Sequence, residues 1–540
     1  MTQPTRVHHS AGLTAGATSI LLAVAGCAPA GSGAGDGERI EGGTITYAHY
    51  QEPPCLWGGW VQQAYTSRQV FDSLVSYGDD GEIVPWLAVD WEESDDRKMV
   101  TFTLREDVDF TDGTHFDAHA VEANFPNWQA GIGWHPFTYI IGAEAVDDYT
   151  VEIHLEEPNP ELYNILANGH YGIQSPEALE HNSDEENCLR PVGTGPWVVE
   201  EWARGEGISF VRNENYNSPP ENASNDGAPY VERVEWKFVP DATARWGALA
   251  TGEADIIYDV PPAQWATAEQ EFQVLNFVAT GRPQGFSFNV ERGPFTDKEV
   301  RQAFVHAVDR QALVETVFQG SVPFEGNGSL SKSTPLYLDL DDTYPYDLDR
   351  ANQLLDEAGW TERDADGYRV KNGEPLEVRL PFNNDIVHST GAIALQTIQD
   401  QVRGAGFKVE LIPLTQTEGF SGAYSAPDEK ELSFGYWVWP SPNILDIVYR
   451  AQLGDARNGN NTSFFNDPEI EEQILDAQRE PDPALREEKY AQLQQWFQDE
   501  AIAVGVYNFT YNVAISRDLH GVWQDQGNGL LNFNDAYFVE

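Results

Sequence analysis

The 540 residues carry 87 acidic against 32 basic side chains, a formal charge of −55, together with 41% hydrophobic residues and 16 tryptophans. That apolar content supports two or three packed domains and excludes a disordered acidic polymer, while the charge disfavours nucleic acid and anionic lipid headgroups as partners. The acids are spread along the whole chain, which fits a saline habitat better than one cationic ligand.

Arg6, His8 and His9 precede a small-and-apolar run over residues 11–25, too short to span a bilayer and suited to a signal peptide. The run ends Val24-Ala25-Gly26-Cys27, which resembles a bacterial lipobox. That resemblance implies cleavage before Cys27 and a diacylglycerol on its sulfur; an ordinary signal with an incidental cysteine is the alternative. Residues 28–38, rich in Gly, Ala and Ser, then read as a flexible tether. No later segment approaches the length of a membrane helix, so the expected protein is anchored outside the membrane. Cys55 and Cys188 remain. In an oxidising exterior they can close a loop worth up to roughly 4–5 kcal/mol in the chain-entropy model; two free thiols are the alternative.

Residues 44–50 alternate as a first strand, followed by Pro53-Pro54 and an aromatic loop from Cys55 to Trp60. A helix is expected over residues 67–74. Residues 100–105 and 108–113 read as paired strands closed at Asp112-Gly113, a helix begins near Ala118, and residues 149–155 alternate as another strand. Residues 191–197 (PVGTGPW) lack the Lys, the following Ser or Thr and the helix start of a phosphate loop, so Gly193 and Gly195 are read as allowing a tight backbone crossing. Phe286, Phe288 and Val290 alternate; Thr296 and Glu299 then have capping-box spacing before a helix carrying Val300, Ala303 and Phe304. Asp309 restarts a second helix, and Gly320 supplies its left-handed stop. Further on, Asp349 caps a helix ended by Gly359, residues 392–402 form another, and residues 407–412 a strand. Residues 482–500 make a long acidic helix and 504–515 a final strand run. Strands and helices alternate throughout, which makes the class α/β with mixed sheets.

Several blocks carry more than periodicity. Pro85, Leu87-Ala88 and Trp91 precede Phe102, Leu104-Arg105, Phe110 and Gly113; Gly193-Thr194-Gly195-Pro196, Arg212-Asn213 with Tyr216, and Gly252-Glu253-Ala254-Asp255 follow. Then come Phe288-Asn289, Pro294-Phe295, Arg301-Gln302-Ala303-Phe304 and Ala307-Val308-Asp309-Arg310. In this order the blocks resemble the family 5 extracellular solute-binding proteins, the dipeptide- and oligopeptide-binding components of bacterial ABC importers. The resemblance implies a two-lobed periplasmic-binding-protein-like fold of the class II type, with a hinge and an extra inserted domain. Residues 1–26 would be the lipoprotein signal peptide and 27–40 the tether. Lobe one would take 41–70, 190–283 and 506–540, the inserted domain 71–189, and lobe two 284–505. The chain would cross between lobes near residues 281–285 and 504–505, where glycines suit bending backbone.

Carried onto this sequence, the family's cleft falls at Trp60 and Val61, at Trp134 and Tyr139, and at Tyr436, Trp437 and Trp439. Flat rings suit the walls of a small-solute site; each ring taken singly is more often core, but as a group at three family-assigned positions they read as cleft. Peptide-binding relatives place an Asp shortly after the lobe-two Trp to hold the peptide α-ammonium. Here Trp439 and Pro440 stand in its place and Asp446 lies further on, which puts peptide recognition in doubt and leaves a neutral, stacked solute such as an oligosaccharide open. No G-x-S-x-G elbow, H-E-x-x-H or catalytic cysteine context occurs. His115 and His119 stand four apart, but Gly113 delays the helix, so they read as solvent-facing or capping residues and no metal or cofactor is expected. The implied function is a monomeric, lipid-anchored solute receptor that serves an ABC permease and its ATPase subunits, not an enzyme. A secreted glycosidase-like hydrolase using two carboxylates is the alternative, and a nutrient sensor uncoupled from transport a third reading.

Overall fold

In Thr44–His49 the side chains of Ile45 and Tyr47 enter an apolar core, and the strand runs through the middle of a seven-stranded sheet. The computed structural model describes residues 38–57, 64–132, 139–453 and 456–540. Cys27, Trp60, Val61 and Trp134 lie outside the described residues. Arg233–Phe238 and Ile256–Tyr258 flank the first strand in parallel. Gly207–Arg212 and Trp197–Ala203 extend the sheet on one side, Thr510–Ile515 and Gln273–Val278 on the other. Helix Ala242–Thr251 starts where the Asp241 side chain accepts from the Ala244 amide, stops at left-handed Gly252, and packs Leu249 on the sheet. The crossing at residues 191–197 is close: a Cβ on Gly193 would lie 2.2 Å, and one on Gly195 2.5 Å, from the Val70 carbonyl oxygen. Only glycine fits there. Cys55 and Cys188 are joined by a disulfide, their Cα atoms 4.8 Å apart.

A four-stranded antiparallel sheet runs Ala88–Glu93, Met99–Leu104, Thr150–Leu155, Ile140–Asp147. Val100, Phe102 and Leu104 alternate inward with Val151, Ile153 and Leu155. The expected pairing of 100–105 with 108–113 is not made. Instead the second stretch turns back on itself, the Phe110 amide donating to Thr114 and Asp109 bridging His115. Residues 67–74 are not a helix either. Ser67 ends the single turn Ala64–Ser67, and Ser67 Oγ, Arg68 and Gln69 donate to the distant carbonyls of Gly169, Ala167 and Leu531. Tertiary hydrogen bonds outweigh local helix propensity here.

The third assembly has Gly281–Phe288 between Leu432–Val438 and Ala503–Tyr507. Phe286 and Phe288 meet Phe304 edge-on at 5.3 and 5.7 Å, and Phe295 lies 4.7 Å from Phe288. Helix Lys298–His306 is capped by Asp297, not by Thr296, which belongs to the preceding turn Pro294–Thr296 and donates to Gly293. Asp309 caps Arg310–Phe318, and Gln319 takes the left-handed position before Gly320. Asp347, not Asp349, caps Leu348–Glu357; Asp482 caps Pro483–Asp499. The core of the four-stranded sheet continues into Trp439, Ile447, Tyr449 and Phe497, so chain order and core membership part company there.

Residues 504–515 are two strands of different sheets. Ala503–Tyr507 completes the three-stranded sheet and Thr510–Ile515 enters the seven-stranded one, so the chain passes over at Asn508-Phe509. The other passage is Ala279-Thr280, and the two lie side by side, the Ala279 amide donating to Phe509 O at 2.8 Å. Gly285 and Gly505 stand beyond these passages, paired with each other. A Cβ on Gly505 would sit 2.3 Å from Asn327 O, and one on Gly285 2.4 Å from Val504 O. Gly285 and Gly505 serve close packing, whereas Gly281, directly after Thr280, takes the left-handed φ of 98° at the passage itself.

Candidate functional site

The seven-stranded and three-stranded sheets both contribute to one cavity of about 610 Å³. Its wall includes a run of touching rings. Tyr436 stacks on Phe509 at 4.1 Å and 8°, Phe509 meets Tyr511 at 5.1 Å, Tyr511 meets Tyr258 at 5.9 Å, and Tyr258 stacks on Tyr50 at 5.5 Å. The run begins on one sheet and ends beside the other, because Phe509 occupies the passage between them. Burial holds the Tyr436 and Tyr511 phenols far above their usual range, so both stay neutral and present flat faces and hydroxyl groups. Among the described lining residues there is no Asp, Glu or Lys; Arg282 contributes the fixed charge, and His49 and His170 add imidazoles.

The residues singled out in the sequence separate into groups. Tyr436, Trp437 and Trp439 all border the cavity. Trp437 is half-buried and stands directly across from Arg282 on the neighbouring strand. Trp439, only 1% exposed, belongs to the core, and its indole N–H donates to Glu161 Oε2 at 3.1 Å. Burial raises the Glu161 carboxyl, while Ser441 and Trp439 donate to it. Tyr139 does not line this cavity. It is 8% exposed, accepts from Arg450 Nη2 at 2.7 Å and lies 3.4 Å from Asp446. Asp446 is itself buried and ion-paired with Arg450 at 2.8 Å, so it does not stand in for the displaced carboxylate. His115 reaches Asp109 at 2.7 Å and His119 reaches Glu122 at 3.4 Å, on separate surroundings. No group of three metal-ligating side chains occurs among the described residues.

Sequence reasoning missed Tyr50, Tyr258, Phe509, Tyr511, Arg282 and Gln284. Tyr258 and Tyr511 lie on strands, and Tyr50 just after one, that carry no mark of facing a cavity. Arg282 sits in Gly281-Arg282-Pro283-Gln284-Gly285, which reads as bending backbone between lobes, yet every residue of Gly281–Phe288 is buried.

Two α/β assemblies joined by adjacent passages of chain, sharing an aromatic cavity, define a two-lobed binding protein of the periplasmic-binding type. The description "Bacterial extracellular solute-binding proteins, family 5 Middle" matches residues 82–458, and the chain belongs to this family. It is 29% identical over 375 residues to the nickel-binding periplasmic protein of Escherichia coli K12, covering 65% of this chain and 67% of that one. It is 28% identical over 466 residues to the glutathione-binding protein GsiB of Escherichia coli O1:K1 / APEC, covering 83% and 85%. Among solved structures, the oligopeptide-binding protein AppA of Bacillus subtilis in complex with a nonapeptide superposes with a TM-score of 0.80 at 21% identity, over 93% of this chain and 100% of that one.

Proposed function

We propose that the protein is a lipid-anchored extracytoplasmic receptor of an ABC importer, which closes two lobes over one small solute and presents it to a permease. The observation that carries this reading is the aromatic cavity shared by two sheets that only two strands of backbone connect. Closure needs only that the solute bind the closed arrangement better than the open one; the measured affinity is that preference less the cost of closing. Lobe one is proposed as 41–70, 190–283 and 506–540, the inserted domain as 71–189 and lobe two as 284–505, with strands Gly281–Phe288 and Ala503–Tyr507 shifting the two lobe boundaries to the passages at residues 279–280 and 508–509. Trp60, Val61 and Trp134 are proposed to complete the wall with Tyr436 and Trp437. Cys27 is proposed as the lipidated residue, and the Cys55–Cys188 bridge suits an oxidising exterior.

Relatives named for nickel, glutathione and a peptide share this fold, so the choice of solute rests on the lining. A glycosidase needs two carboxylates astride its substrate. The described lining supplies neither, and the hydrolase reading loses its support. Mass spectrometry of the protein purified from its native membrane tests the proposal. One small molecule is expected in stoichiometric amount, unchanged after prolonged incubation, with Cys27→Ser releasing the protein from the membrane fraction. Catalytic conversion of the bound molecule would overturn the receptor reading.

A further inference from the structure

Arg282 is 7% exposed on Gly281–Phe288, in register with Trp437, so guanidinium and indole stand on the same face of the sheet and both line the cavity. Among the described residues it enters no ion pair. Its Nη2 donates to Ser287 Oγ, and its Nε is buried with no partner. Burial lowers the pKa of the group, yet a guanidinium remains protonated at neutral pH. A buried cation lacking a counter-charge is a standing cost to the empty protein. Further polar atoms in the same lining are also buried without partners: Gln284 Nε2, Ser433 Oγ, Thr462 Oγ1 and Asn528 Nδ2. Each of these can donate a hydrogen bond, and no described lining residue is an acid that would compete for them.

One fixed positive charge in a lining that also holds orphaned donors and no acid among its described residues is complementary to an oxyanion, because carboxylate oxygens accept from such N–H and O–H groups. We infer that the transported solute bears a carboxylate that seats on Arg282, with its apolar body against Trp437 and no requirement for an ammonium group. This deepens the solute-receptor reading and rests on it. The absence of an ammonium requirement follows from a described lining without a carboxylate; Asp446, further along the sequence, does not line the cavity and is ion-paired with Arg450.

The test uses the full mature chain, with binding measured by calorimetry and thermal shift. The probes are N-acetyl-phenylalanyl-leucine, its C-terminal amide, phenylalanyl-leucinamide (an ammonium and no carboxylate), and 4-hydroxybenzoate beside 4-hydroxybenzamide. At least one acid is expected to bind more tightly than its amide, by roughly 10- to 100-fold. Arg282→Met, similar in volume and uncharged, should bind acid and amide alike, and its empty form should melt no lower than the wild type. The double variant Ser433→Ala/Thr462→Ala, which keeps Arg282, should show a reduced preference for the acid. The inference is overturned if no acid outbinds its amide, if the ammonium-only probe binds best, or if the acid preference survives in Arg282→Met. It is also overturned if that variant melts well below the wild type, or if the double variant keeps the full preference. Turnover of a probe would strike the receptor reading and leave the acid preference standing; equal binding of acid and amide without turnover strikes the anion seat alone.

Discussion

Trp437 and Trp439 are two residues apart, and sequence alone treats them alike. Their surroundings do not. Trp439 is enclosed by the core and supplies a hydrogen bond to buried Glu161, so Trp439→Ala should cost about 3–5 kcal/mol of stability and leave that carboxyl short of a donor. Trp437 is half-buried at the cavity, and Trp437→Ala should weaken solute binding by ~1 kcal/mol or more while the melting temperature is largely kept. Melting and titration of the two variants side by side decide it; the reverse pattern would exchange their assignments. What was legible at this scale was the residue type, since rings belong in walls and in cores alike. Which of the two a ring occupies depends on partners such as Glu161, 278 positions away in the chain. The burial of Arg282 was illegible for a related reason. An arginine in a stretch read as bending backbone carries no mark of burial, and only the strands on either side enclose it.

At the level of elements, local chemistry read well where the signal was local. Asp309 starts the helix Arg310–Phe318 as its type dictates. Thr296 failed by one position because Asp297, an equally good cap, lies nearer the first turn. The run 504–515 misled for a different reason. Both halves are apolar and buried, and periodicity says nothing about which sheet each half joins. The glycines near the passages sharpen the point. Gly505→Ala should lower the denaturant midpoint by an amount equivalent to about 1–3 kcal/mol, because the added carbon meets Asn327 O at 2.3 Å. A neutral result would mean that the backbone there yields, as a hinge does.

For the molecule as a whole, the surplus of acids dominates. Exposed pairs such as Arg479 with Glu157 contribute little individually, whereas repulsion among 87 carboxyls acts over the entire surface. The melting temperature should therefore climb as NaCl is raised from about 10 mM to about 1 M, where the screening length shrinks to ~3 Å. A fall over that range would show that ion pairs outweigh the repulsion. The overall architecture was the most legible level of all, because blocks in a fixed order specify it even where single strands were misassigned.

Thr510–Ile515 lies between Gln273–Val278 and Ile256–Tyr258 and hydrogen-bonds to both. Until residues 510–515 dock, the folding chain exposes two unsatisfied strand edges with a vacant slot between them. Native closure of that sheet therefore waits on a strand distant in sequence from both of its neighbours, a non-local pairing that is slow to form.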